Sequence, residues 1–223
     1  MPRIAAGVVE FQKNAYPARR DLYEQLAGGQ APETLFITCS DSRISPNLVT
    51  STEPGEVFII RNAGNIVAPH TKQTDGGSAT IEYAMAALKV RHVVVCGHTG
   101  CGAMGAAMDP SGLDALPHVK EWIGYAQAAV QVTNEIAGGK SDDEKMLTLI
   151  QQNVLLQLQH LRTHPYVASA LAAKSVQLHG WVYDIKTGEV TAYDERDDRF
   201  EPVAERYADD VSEFAGKMSS QDH

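Results

Sequence analysis

The sequence predicts an α/β fold: a mostly parallel central sheet of four strands plus an antiparallel edge strand, flanked by helices. Two observations carry this expectation. Four short apolar, β-branched runs, at residues 34–38, 57–60, 93–96 and 176–183, are nearly continuous instead of alternating, the pattern of strands covered on both faces. Between them lie segments whose apolar residues recur every three or four positions, the period of helices that cross over between parallel strands.

Taken in order, residues 4–26 carry Val8, Val9, Phe11, Leu22 and Leu26 on a helical segment with no evident place on the sheet. We expect one domain over residues 1–223 whose first residues, to about 28, form an arm that packs on a partner copy, most simply in a two-fold pair. The glycines of Gly76-Gly77-Ser78 precede Ile81, Ala84, Met85 and Leu88, one apolar helix stripe with Ser78 as its expected N-cap. An exposed loop is expected between Met108 and Leu116, then a helix through Trp122, Ile123 and Val130. Ser141 with Glu144 makes a capping box ahead of Leu147, Ile150, Val154, Leu158 and Leu161, a long amphipathic helix with a mostly polar second face. Pro165 marks a helix boundary after His160 and His164, which read as surface residues and not as a second metal site. His179 reads as a packed core histidine beside Trp181, whereas His70, His92 and His118 show no partner pattern. Residues 184–189 form a turn back to the edge strand near 190–193, and 200–218 a final helix.

A chain of 223 residues buries roughly 70% of its unfolded surface, enough for a core without disulfides. Three cysteines form no framework of pairs, so a metal or reactive role in a reducing, cytoplasmic compartment is expected. The N-terminal residues fit no signal peptide and no apolar run approaches a membrane span. The net charge of -9, with no basic block, argues against nucleic acid and anionic membrane as partners.

Parallel sheets bind ligands at the carboxyl ends of their strands. Cys39 follows the first strand, and His98 and Cys101 follow the third, so adjacent strands deliver two thiols and an imidazole to one crevice. Zinc accepts this mixture, and three protein ligands leave a fourth position open, as in catalytic sites. Gly97, Gly100 and Gly102 allow the second loop to turn tightly. Two thiolates neutralise the ion, so water bound there should be less acidified than beside three histidines, and help must come from nearby groups. Asp41 and Arg43 lie two and four residues past Cys39: paired, they keep a carboxylate ionised to accept a proton, whereas an unpaired Asp41 could take the fourth metal position and close the site. Cys96 reads as a small buried hydrophobe.

Cys39-Ser40-Asp41-Ser42-Arg43, RNAGN from Arg61 to Asn65, IEY from Ile81 to Tyr83 and CGHTGCG from Cys96 to Gly102 resemble, in order and separation, the β-class carbonic anhydrases, with support from HGWVYD at His179 to Asp184. The resemblance implies reversible hydration of carbon dioxide to bicarbonate and a proton. It implies one zinc per chain on Cys39, His98 and Cys101, and an Asp41–Arg43 dyad that positions the zinc-bound nucleophile. Gln30 stands nine residues before Cys39, as in the plant-like subtype, where its amide would hold a substrate oxygen; Phe58, Ala63 and Tyr83 fall on the family's apolar pocket, and Gly102 would add a backbone N–H. Ala63 is smaller than the valine often found there. The other subtype binds inhibitory bicarbonate with a tryptophan, an arginine and a tyrosine; Arg61 and Tyr183 match, but Phe36 replaces the tryptophan, which points to an open, water-bearing site. A homodimer or dimer of dimers is implied, with N-terminal helices reaching across. Two alternatives stay open: relatives on this scaffold hydrolyse carbonyl sulfide or carbon disulfide with the same ligands, and a structural zinc module would keep Asp41 on the metal.

Overall fold

The computed structural model describes residues 1–221, with side chains described through residue 214. The arm comprises α1 (Pro2–Glu10), α2 (Tyr16–Ala18) and α3 (Arg20–Leu26), none of which buries a residue. Phe11, Tyr16 and Tyr23 pack on one another with ring centroids 5.1 to 6.1 Å apart. Ile4, Val8 and Val9 stay 68, 52 and 46% exposed. The arm is tied to the body by Arg19, whose guanidinium donates to both Glu53 carboxylate oxygens at 2.8 and 3.2 Å.

Among the described residues the sheet has six strands, in the order β2-β1-β3-β4-β5-β6. The strands β1 (Thr34–Cys39), β2 (Val57–Asn62), β3 (His92–His98) and β4 (Gln177–Tyr183) are parallel and fall where the apolar runs place them. The edge is an antiparallel pair, β5 (Val190–Asp194) and β6 (Arg199–Pro202), so one strand more than expected is present. Residues 200–202 had been expected to open the last helix. Instead Phe200 stands opposite Tyr193, with ring centroids 5.4 Å apart, a cross-strand contact that outweighs the local helical pattern. Helices α11 (Val203–Arg206) and α12 (Ala208–Gln221) follow.

Alternation along β1 and β3 divides the core. Leu35, Ile37, Val93 and Val95 face the larger cluster, while Phe36, Val94 and Cys96 face a small one with Ile44, beside the short α4 (Pro46–Thr50). The larger cluster lies under α5 (Gly76–Tyr83), α6 (Gly102–Met108), α7 (Pro117–Ile123), α8 (Gln127–Ala137), α9 (Asp142–Arg162) and α10 (Pro165–Ala172). The N-cap of α5 is Asp75, not Ser78: its Oδ1 accepts the Ser78 N–H at 2.8 Å, because the two glycines already belong to the first turn. Both halves of the Ser141–Glu144 capping box are formed. The stretch after α6 is anchored by Leu113, which is buried. Helix α9 lies against the middle of the sheet because two adjacent strands carry glycine there. A Cβ on Gly97 would stand 3.0 Å from Val154 Cγ2, and one on Gly180 would stand 2.9 Å from Val154 Cγ1.

Candidate metal centre

Cys39 ends β1 and His98 ends β3, and the pairing of Thr38 with Cys96 brings those two ends side by side. Gly100 turns the chain at φ 66, and Cys101 returns as the N-cap of α6. All three ligand residues are buried, and one ligand atom from each lies within 4.8 Å of the other two. His98 Nδ1 is 3.0 Å from the Thr99 carbonyl and donates its proton there, which leaves the lone pair on Nε2. That Nε2 is buried and, together with Asn65 Nδ2, lacks a hydrogen-bond partner among the described side chains. A buried nitrogen without a partner beside two sulfurs is the environment of a cation ligand, and the donor set suits zinc. The thiols agree. A hydrogen bond from Cys101 pulls the Cys39 thiol far below the ordinary thiol range, while the same contact, with burial, pushes Cys101 above it. A bound divalent ion would favour the ionised form of both sulfurs.

Asp41 is turned toward Arg43. Its Oδ1 accepts from the Arg43 backbone N–H and Nε, both at 2.9 Å, and its Oδ2 accepts from Arg43 Nη2 at 2.7 Å. The guanidinium, assisted by that N–H, holds the carboxyl well below the usual carboxylate range. Arg43 Nη2 also donates to the Gly100 carbonyl at 3.0 Å, which links the two ligand loops, and Asp41 Oδ2 is 3.9 Å from His98 Nε2. Arg61 braces the first loop from below by donating to the carbonyls of Cys39, Asp41 and Ile44 at 3.1, 2.7 and 2.9 Å. The Gly64 N–H points at Cys39 Sγ, 3.4 Å away.

The residues expected around the substrate are more dispersed. Phe58, half-buried, and Tyr83, 51% exposed, face each other with ring centroids 6.0 Å apart. Ala63 is exposed, with its carbonyl fixed by the Trp122 indole N–H at 2.9 Å. Gly102 is the first residue of α6, and Gln30 is exposed in the loop between α3 and β1. Phe36 is buried, edge-on to Trp181 with centroids 6.1 Å apart, and Tyr183 is half-buried.

Cys96 is buried, and burial pushes its thiol up to about 12, as a packed hydrophobe requires. The histidines depart from expectation. His164 is buried and its Nε2 donates to the Ala68 carbonyl at 2.9 Å, while half-buried His160 donates from Nδ1 to the Val67 carbonyl at 2.8 Å. Neither is a surface residue, because both satisfy backbone groups on a distant segment. His92 does have a partner: its Nδ1 is 3.1 Å from His179 Nε2, and burial first, then His92, lowers His179 to about 4. Asn153 and Gln157 were not singled out from sequence. Their visible sign is two amides, four residues apart, on the same helical stripe as Ile150, Val154, Leu158 and Leu161.

Residues 34–190 match the family model described as carbonic anhydrase. The carbonic anhydrase of Pseudomonas aeruginosa is 49% identical over 205 residues, covering 92% of this chain and 93% of that one. The solved β-carbonic anhydrase CcaA superimposes with a TM-score of 0.88 at 39% identity, covering 91% of this chain and 98% of that one. A tetrameric β-carbonic anhydrase from Sordaria macrospora gives a TM-score of 0.69 at 32% identity, over 86% and 92%. Motif order, the buried Cys39–His98–Cys101 set on a parallel sheet and these similarities agree that the chain belongs to the β class of the carbonic anhydrase family.

Proposed function

We propose that this carbonic anhydrase hydrates carbon dioxide reversibly at one zinc ion per chain, held by Cys39, His98 and Cys101, with Asp41 off the metal as in the plant-like, open-site subtype. The observation that carries this is the engagement of both Asp41 oxygens by Arg43. Zinc, when bound, would supply a Lewis acid that lowers the pKa of water and makes it nucleophilic. Arg43 keeps Asp41 ionised and turned away from the metal position, and Asp41 Oδ2 accepts a hydrogen bond from the nucleophile, which aims its lone pair at the substrate. Phe58, Ala63 and Tyr83 form the apolar slot for an uncharged linear substrate, while the Gly102 N–H and the Gln30 amide hold its oxygens. The packing of Phe36 on Trp181 supports the absence of the inhibitory bicarbonate site. The alternatives are not favoured: the relatives are carbonic anhydrases, and a closed zinc module would need the carboxylate that Arg43 holds.

The same proposal takes residues 1–223 as one domain with an arm to about residue 28, assembled as a homodimer or dimer of dimers. The exposed Ile4, Val8 and Val9 of α1 and the tetrameric Sordaria relative support it. We place the enzyme in the cytoplasm, where its three unpaired cysteines stay reduced. No helix among the described residues is long and apolar enough to cross a membrane. The test is stopped-flow carbon dioxide hydration with a pH indicator, on metal-quantified protein, from about pH 6.5 to about pH 9. Turnover across the range with one zinc per chain is expected. Turnover confined to the alkaline end would overturn the open-site assignment, and none at any pH would overturn the activity.

A further inference from the structure

The residues that follow β2 pose a problem of backbone accounting. Gly64, Asn65, Ile66, Val67 and Ala68 are all buried, yet they belong to no strand or regular helix that could pair their N–H and C=O groups. Buried backbone groups without partners destabilise a fold, so such a segment must find them. Here side chains supply the partners. Asn62 grips Ile66 by both backbone groups at 2.8 Å. Four more bonds come from one stripe of α9 and its end: Asn153 to the Gly64 carbonyl at 3.0 Å, Gln157 to the Val67 N–H at 2.9 Å, and His160 and His164 to the Val67 and Ala68 carbonyls.

The polarity of this network has one solution. The Val67 N–H can only donate, so the Gln157 atom facing it is the oxygen. Gln157 Nε2 must then donate to Asn153 Oδ1, at 2.8 Å, which leaves Asn153 Nδ2 to donate to the Gly64 carbonyl. With its carbonyl held on one side, Gly64 presents its N–H to Cys39 Sγ on the other. The residue is wedged as well. It sits at φ 81, and a Cβ there would meet Met104 Cε at 3.0 Å and Ala103 Cβ at 3.1 Å on the helix that Cys101 starts.

We propose that Asn153 and Gln157 are positioning residues for the metal centre, holding Gly64 so that its N–H stays on the Cys39 sulfur. This inference rests on the zinc assignment above. A hydrogen bond to a metal-bound thiolate draws electron density from sulfur and fixes its direction, so losing it makes the sulfur a stronger donor in a less ordered site. Thr163 is the control: its Oγ1 accepts the His70 N–H at 2.8 Å and so holds the far end of the same segment without reaching Gly64.

The experiment compares wild type, Asn153→Ala, Gln157→Met and Thr163→Val. Each is loaded with cobalt(II) to record the sulfur-to-metal charge-transfer band, and with zinc to time extraction by a chromogenic chelator. We expect the band to move to longer wavelength in Asn153→Ala and Gln157→Met, and zinc to leave about 10- to 100-fold faster. Thr163→Val should lower the melting temperature without moving the band. The proposal is overturned if the two amide variants lose only melting temperature, as Thr163→Val does. The two amide variants test one network, so the folding of either suffices for the decision. Wild type that holds neither metal overturns the zinc assignment itself, whereas metal-loaded variants with an unmoved band overturn only the positioning role.

Discussion

The chain builds an Asp-x-Arg turn at two strand ends, Asp41–Arg43 after β1 and Asp194–Arg196 at the end of β5, with nearly the same bonds. The arginine N–H reaches Oδ1 at 2.9 Å in one and 3.0 Å in the other, and Nη2 reaches Oδ2 at 2.7 and 2.9 Å. Both carboxyls are held low by the guanidinium and then by the N–H, Asp194 to about 2. They differ in what stands beside them. Asp41 Oδ2 is 3.9 Å from the partnerless His98 Nε2, whereas Asp194 Oδ1 is 3.9 Å from a second arginine, Arg206. A carboxylate fully engaged by cations is a structural tie; on our proposal, the same carboxylate next to the candidate ligand set orients the nucleophile. The turn is a local device, and its role comes from its neighbours.

The largest contrast should come from removing the charge at each turn. Asp41→Asn is expected to lower carbon dioxide hydration by about 10² to 10⁴-fold while zinc content, measured by atomic absorption, stays at wild-type level. Asp194→Asn should leave turnover unchanged and lower the melting temperature. Equal activity losses would break the distinction.

A smaller separation is expected from shortening the fork. Lysine cannot make two parallel bonds to a carboxylate, so Arg43→Lys frees Asp41 to approach the metal. Turnover near neutral pH should fall about tenfold and recover at alkaline pH, as the pH–rate profile would register. Arg196→Lys, at an exposed arginine, should barely move the denaturant midpoint and leave the profile intact.

The smallest effect is a matter of acid stability. Asp194 is lowered from 3.8 to about 2, so its ionised form stabilises the fold above the unfolded value, and that contribution is lost as pH falls through the folded one. The gap in urea midpoint between wild type and Asp194→Asn should therefore narrow from about pH 4 to about pH 2. A gap that widens toward acid would mean that the carboxyl is not held low.

Sequence patterns revealed what is local. The strands are continuous apolar runs, the capping box spans four residues, and the candidate ligand residues stand in two short motifs, so each declares itself within a few positions. What stayed hidden depends on distant partners. His92 meets His179 across 87 positions, and His164 meets Ala68 across 96, separations that no periodicity reports. Phe200 looked helical because its strand is only four residues long and is specified by Tyr193 opposite. The sequence points to Ser78 as the cap because the glycines before it resemble a loop, whereas Asp75 reaches over them. Asn153 and Gln157 were legible as polar interruptions of an apolar stripe, but their targets, Gly64 and Val67, were not.

The side-chain partners of the segment after β2 also set an order on synthesis. Cys39, His98 and Cys101 have all been translated by residue 101, but the bonds that fix Gly64, Val67 and Ala68 reach 89 to 96 positions forward, as far as His164. A nascent chain therefore carries a complete set of metal-binding side chains long before the wall behind Cys39 exists. The ribosome must release more than sixty further residues, and the long loops they close are entropically slow to form. During that interval the ligand loops lack the contacts that α9 supplies, so the support behind Cys39 is completed only after the ligand residues themselves.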